Sequence, residues 1–324
     1  MAHLIDMTTG NAACAFVGPT PWHGLGADMG TNKDMGDWRK RAGLNWEAVA
    51  APVEYLVPGT GLLSVPDRKV LYRSDTMNSL AVVSDRYQVF QPADVMDFYK
   101  DLCEKHDFTM ETAGALKDGR VIWALAKTGE TARISGTDEL KGYVLLSTSF
   151  DGSMATTVRH TSVRVVCNNT LQMAAGEKAA VSVRHNTAVD VSRLKDALGL
   201  GQGWIDFTND SQKLAETPVS QDQAVEFFMR VYHDIVVGEK TMTVQEEKSV
   251  SKTVKRLAEQ YLFSPGANLK SSKNTAWGLV NAVTHDIDFK RRAQSQDKRL
   301  ASAWYGDGAL IKGKAWDAAL ALAA

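Results

Sequence analysis

Cysteine is scarce: three residues, Cys14, Cys103 and Cys167, in 324. An odd, widely spaced set cannot build a full disulfide framework, and no Cys-x-x-Cys pair exists to hold zinc or run dithiol exchange. A reducing, cytoplasmic setting is the expectation. An excess of charge is missing too. Lys plus Arg is 37 against 38 Asp plus Glu, a net charge of -1, so the chain is no bulk polycation. Any nucleic-acid affinity must come from a local basic surface. No apolar run approaches the roughly 20 residues that span a bilayer. The opening Met1-Ala2-His3-Leu4-Ile5-Asp6 has no basic stretch leading into an apolar one, as a secretion signal has. Absent as well are a Gly-x-x-x-x-Gly-Lys-Ser/Thr phosphate loop, a Gly-x-Ser-x-Gly elbow and any His-Glu-x-x-His metal spacing. P-loop ATPase and serine-hydrolase readings fall away, and no two-metal nuclease set is legible.

What is present has ordinary globular composition, 44% hydrophobic and 23% charged, which excludes a disordered tail, a collagen-like fibre or a low-complexity linker. The pattern is α+β. Residues 1–50 read as an N-terminal arm with one short helix over Asp34–Gly43. Residues 51–205 read as a core with an antiparallel sheet. Leu62–Val65, Lys69–Arg73 and Leu80–Val83 are short strands. A helix over Asp94–Lys105 places Val95, Phe98, Tyr99 and Leu102 at helical spacing. Two Asp-Gly pairs, Asp118-Gly119 and Asp151-Gly152, then predict tandem hairpins, hence a four-strand meander. Asn168-Asn169-Thr170 predicts the cap of a helix through Ala175. A strand over Ala180–His185 and a helix over Val189–Leu198 follow. The glycines at 199, 201 and 203 open no helix and mark a boundary. Residues 206–324 read as mainly helical.

The most informative stretch is Arg159-His160-Thr161-Ser162-Val163-Arg164-Val165-Val166-Cys167. On one regular strand, His160, Ser162 and Arg164 share a face opposite Val163, Val165 and Cys167. That predicts a basic, hydrogen-bonding face fit for a phosphate backbone. The same alternation fits a half-buried strand with a solvated polar face. Cys167 falls on the apolar face, where a thiol is inert. Arg184-His185 repeats the Arg-His pair, so Arg159, His160, Arg184 and His185 meet on one surface if their strands pair. Arg120, on the first hairpin, is a further cation. His160 and His185 alone are too few to hold a metal, and no cofactor is implied. Pro21-Trp22-His23-Gly24 is either a stacking loop or a Trp plug pinning the arm. Residues 250–314 hold twelve Lys/Arg and five acids, interleaved with Tyr261, Trp277, Phe289, Trp304 and Tyr305. Such interleaving suits a single strand, through backbone attraction and base stacking, and equally suits helices with solvated basic faces.

Several segments carry a resemblance: Trp22-His23-Gly24-Leu25-Gly26, Arg73-Ser74-Asp75, Gly119-Arg120-Val121, Asp151-Gly152-Ser153, Arg164-Val165-Val166-Cys167-Asn168-Asn169-Thr170-Leu171, Arg184-His185-Asn186-Thr187 and Thr275-Ala276-Trp277-Gly278. In this order they resemble the phage/plasmid-like protein family, catalogued as a domain of unknown function, over nearly the whole chain. One departure is Asn168, where that family more often carries glutamine. The resemblance implies a mobile-element setting and brings no catalytic residues with it. The order helix, meander, helix is also similar to the core of phage single-strand annealing proteins of the RecT, Erf and Red-beta type. The expectation is therefore a non-enzymatic protein that binds or anneals single-stranded DNA in recombination or replication. It is expected to assemble as a homo-oligomer, with Arg159, His160, Arg164, Arg184, His185 and Arg120 on the phosphates. The alternative is a counter-defence protein acting on a host or phage protein partner. A nuclease built on His160 and His185 is the least supported reading, since no complete acid/base set accompanies them.

Overall fold

The computed structural model describes residues 5–18, 25–32, 34–105, 108–164, 169–172, 180–186, 202–236, 244–294 and 296–324. Its centre is the predicted meander. Strands β6 (Thr109–Leu116), β7 (Val121–Ser135), β8 (Asp138–Ser149) and β9 (Thr156–Arg164) are consecutive antiparallel neighbours. At the first turn Lys117, Asp118 and Gly119 all take positive φ, of 53°, 59° and 86°. Only glycine does this without strain, and a Cβ on Gly119 would lie 2.8 Å from Arg73 Nη1. At the second Asp-Gly pair the Ser153 N–H donates to Asp151 Oδ1 at 2.9 Å, closing an Asx turn.

The sheet is wider than the meander. β1 (Cys14–Phe16) adds antiparallel to β6, and β2 (Ala27–Asp28) adds parallel to β1. Part of the expected N-terminal arm is therefore built into the sheet. At the far edge β10 (Asn169–Gln172) and β11 (Ala180–Val183) sit end to end along β9. β10 occupies the first part of the helix expected through Ala175, whose remaining residues 173–175 lie outside the described residues. Asn169 and Thr170 pair with Arg164 and Val163 instead of capping a helix, because the open edge of β9 offers backbone partners along its whole length. The helix expected over Val189–Leu198 and the Pro21–Gly24 loop lie outside the described residues.

A second sheet joins β3 (Ala48–Val57), β4 (Gly61–Arg73) and β5 (Ser79–Ser84). The two strands expected at Leu62–Val65 and Lys69–Arg73 are one. Pro66 and Asp67 interrupt the pairing with β3 between Ser64 and Lys69 without ending the strand. Helices α1 (Met35–Arg41) and α2 (Pro92–Lys105) lie between the sheets. Together they bury Trp38, Leu71, Phe98, Tyr99, Val144, Val158 and their neighbours in one core. Tyr99 pins α2 to the meander. Its hydroxyl donates to the Ala124 carbonyl at 2.7 Å, with the Val144 carbonyl at 3.0 Å, and accepts from the Leu146 N–H at 2.9 Å. Full burial pushes its pKa well above the usual tyrosine value. Tyr99→Phe strands a buried amide, so a loss of about 1–3 kcal/mol is expected in urea unfolding.

The remaining helices form a separate layer: α3 (Gln202–Glu216), α4 (Gln221–Val236), α5 (Val244–Phe263), α6 (Ala276–His285), α7 (Gln296–Tyr305) and α8 (Asp307–Leu322). α3 begins among the glycines expected to open no helix. Trp204, Phe207, Ser211 and Leu214 are buried at helical spacing, and that pattern outweighs Gly203. Ile134 and Leu140 carry the β7–β8 hairpin into this layer. At its turn Asp138, wholly buried, accepts from Ser271 Oγ at 2.5 Å and Trp277 Nε1 at 3.0 Å. No described helix is long and apolar enough to cross a membrane.

Candidate functional site: a basic pocket at the end of helix α6

All ten residues of α6 are buried. The helix then widens into a π-helical turn over Asp286–Lys290, a distortion that often accompanies function. The wider turn sends Asp286 and Ile287 inward and leaves Phe289 exposed at 43%. Both acids of the turn are answered from other helices. Arg256 on α5 grips Asp286 with two hydrogen bonds, Nε to Oδ1 at 2.5 Å and Nη2 to Oδ2 at 3.0 Å. Lys312 on α8, 1% exposed, meets Asp288 at 2.5 Å. Burial pushes the Lys312 ammonium down, and the Asp288 charge and hydrogen bond push back.

The segment that follows is rich in cations. Residues 290–299 hold five Lys/Arg and one acid, Asp297. Arg291, Arg292, Lys298 and Arg299 line a pocket of about 250 Å³ floored by Ile287 and Ser302. Arg291 Nη1 and Arg299 Nε are buried with no hydrogen-bond partner among the described residues. Arg299 spends its Nη1 on the Phe289 carbonyl, which ties α7 to the turn. Buried guanidinium hydrogens without acceptors are costly, so an acceptor entering the recess would relieve that cost. The volume is below the 300 Å³ or so at which small-molecule pockets begin, and suits a phosphate group better than a whole nucleotide. Beside it the Phe289 ring lies 4.9 Å from that of His285, an exposed aromatic face next to the cations. Behind it the Tyr232 hydroxyl is buried, and burial and Asp286 push it up to about 12 against the opposing pull of Arg291 and Arg256.

His285 gives this corner a pH dependence. Burial pushes its imidazole below the ordinary value near 6.5, Lys290 pushes the same way, and Asp288 and Asp286 oppose. A depressed histidine resists protonation in the fold more than in the unfolded chain. Its contribution to stability is then complete above about pH 6.5 and declines as pH falls from there toward the folded pKa. His285→Gln is expected to flatten that part of a stability-versus-pH curve measured by thermal unfolding.

The strand residues expected to hold phosphate do not share a groove. β9 and β11 do pair, with Arg159 opposite Ala180 and Thr156 opposite Val183, yet alternation separates the members. Val158 faces the α2 core, and His160, two residues on, shares that face and is 1% exposed. Arg159 points the other way, beside Tyr305, and burial lowers its pKa. Arg184 is exposed at the end of β11, about four residue steps or roughly 13 Å along the sheet from Arg159. His185 is buried and stacks on Tyr87 at 4.5 Å, with its ring nitrogens 3.0 Å from the Gln88 carbonyl and 3.1 Å from the Met154 carbonyl. That arrangement fastens β11 to the neighbouring loops. Arg120 is exposed at the tip of the first hairpin. Arg164 ends β9 opposite Leu140 and Asn169, and its side chain lies outside the described residues, as does Cys167. The basic face expected on β9 is thus a covered strand, with the α2 core on one side and Trp304 and Tyr305 of α7 on the other. The pocket residues were visible in the sequence only as part of the basic 250–314 stretch. Phe289-Lys290-Arg291-Arg292 was the local signal.

Among the described residues no group of three or more His, Cys, Asp or Glu stands together as a metal site would require. The fold and the pocket define an α+β protein with a meander sheet, a helical layer and, among the described residues, a basic recess in that layer. A family model described as Domain of unknown function (DUF932) matches residues 79–304, and the chain belongs to that family. The matched span runs from β5 almost to the end of α7, and includes the pocket. No curated protein and no solved structure matches the chain.

Proposed function

We propose that this protein binds single-stranded DNA without turning it over, as an oligomer, in the recombination or replication of a phage or plasmid. The observation that carries the reading is the pocket at the end of α6. It offers four cations, two of them with buried nitrogens that have no acceptor among the described residues, and a recess of about 250 Å³ near exposed Phe289. Backbone phosphates in such a recess and bases on such a ring are the two halves of sequence-tolerant single-strand binding. The near-neutral charge of -1 makes one protomer a weak binder, and repetition of the pocket in an assembly supplies avidity.

The test is a titration of fluorescent oligonucleotides across a salt series. With one backbone phosphate in the recess and its neighbours along the strand met by the other lining cations, four contacts in all, the slope of log affinity against log salt is expected to be about -3, and the loss about 50-fold between 50 and 200 mM. A duplex of the same length binds more weakly, because its bases cannot reach Phe289. No measurable binding at low salt, to DNA or RNA, overturns the reading.

A further inference from the structure

On the turn side of Arg68 the second sheet narrows to two strands. β5 pairs with β4 only from Arg68 onward, while β3 and β4 continue together to Val57 and Gly61. Tyr55 stands opposite Leu63 and Leu56 opposite Leu62, so the two pairs point to opposite faces of the hairpin. All four are exposed, Leu56 at 70%, Leu62 at 65%, Tyr55 at 50% and Leu63 at 39%. No charged residue occurs from Tyr55 to Val65. A two-stranded hairpin is marginal by itself, and one that is apolar on both faces exposes what a monomer ordinarily covers.

The chain also carries a matching recess. Between α1, the end of α2 and the start of β6 lies a slot of about 260 Å³, lined by Val17, Met35, Trp38, Cys103, Phe108 and Met110 among others. Among the described residues no charged side chain lines it. An apolar arm and a slot lined mainly by apolar side chains, on different elements, are the two halves of a head-to-tail contact. A lipid surface fits less well. A hairpin that dips into a membrane needs cations flanking its apolar tip, and the nearest here are Arg68 and Lys69, beyond Pro66.

We propose that the β3–β4 arm seats in the slot between α1, α2 and β6 of a second copy of this chain, and so builds a ring or a row of protomers. The arm and most of the slot lie outside the span that the family model matches, so assembly and the basic pocket are separable properties. The inference does not rest on nucleic-acid binding.

The experiment is sedimentation velocity on the full chain at tens of micromolar, with circular dichroism to confirm folding. The parent is expected to sediment as a multiple of the 35.4 kDa protomer. The arm variant Leu56→Ser/Leu62→Ser and the slot variant Met35→Arg are each expected to run as monomers. Mixed together, they are expected to form dimers and nothing larger, because only one intact arm and one intact slot can meet. A monomeric parent, or folded variants that assemble as the parent does, overturns the proposal. So does a parent that is monomeric in solution and floats with neutral or anionic vesicles. Oligonucleotide binding, scored separately in the same variants, shows whether the pocket works when assembly fails.

Discussion

Alanine in place of Arg73 is expected to lower the stability of the fold by about 3–5 kcal/mol, the usual cost of stranding one member of a buried ion pair. Arg73 is 1% exposed. Its Nη1 donates to Asp6, itself 2% exposed, and its Nε and Nη2 donate to Asp75 at 2.9 and 2.8 Å. The guanidinium lies 4.6 Å from the Trp46 ring centroid and packs under Gly119. One side chain thus joins the N-terminal segment, the second sheet and the first meander turn. Alanine leaves Asp6 buried with no cation, and that loss is a large share of the 5–15 kcal/mol or so that holds a typical domain. Arg73→Lys keeps a charge but cannot make the two-pronged contact with Asp75, so an intermediate loss is expected. Burial works to raise the Asp75 pKa, and the hydrogen bonds and charge of Arg73 outweigh it, leaving the carboxyl below its ordinary value of 3.8. Its contribution is therefore present above that value and is lost as pH falls through the folded pKa. Urea midpoints at pH 7 for the parent and both variants decide the matter. An alanine variant within about 0.5 kcal/mol of the parent, the range of a plain surface change, removes the structural role given to Arg73.

The second large effect is on binding. Arg291→Glu/Arg292→Glu removes two of the four cations that line the pocket. The salt slope is expected to fall in magnitude by about 1.4, and the affinity for a single strand by about 50-fold near 50 mM salt. Reversed charge adds repulsion to that loss. Phe289→Ala should cost about 1–3 kcal/mol of binding if a base stacks there. The strand residues supply the contrast. Should Arg159→Ala or Arg164→Ala weaken binding while the double pocket variant binds like the parent, the phosphate site is on β9 and the pocket is not the contact.

Local order was legible in the sequence, element by element. Asp118-Gly119 and Asp151-Gly152 announced both hairpins, since few other residues tolerate the backbone those turns need. The spacing of Val95, Phe98, Tyr99 and Leu102 marked α2, and the basic excess of 250–314 contained the pocket. Three expectations failed for one shared reason. Asn169-Thr170 could cap a helix or extend a sheet, and the open edge of β9 decided for the sheet. Gly203 argued against a helix until Trp204, Phe207 and Leu214 found a core to enter. Arg159 and His160 looked like one basic patch, yet neighbours on a strand point apart, and each of their faces met a different cover.

Alternation along β9 fixes which side chains share a face; it carries no information about what lies against that face. By itself the sequence determined the periodicities, the turns and the charge of each segment, because these depend on residues a few positions apart. Only the tertiary structure decided which strand edges stay open, which cations find a carboxylate and which do not. Arg256 and Lys312 meet Asp286 and Asp288 across 30 and 24 residues of chain, while Arg291 Nη1 and Arg299 Nε are buried with no hydrogen-bond partner among the described residues.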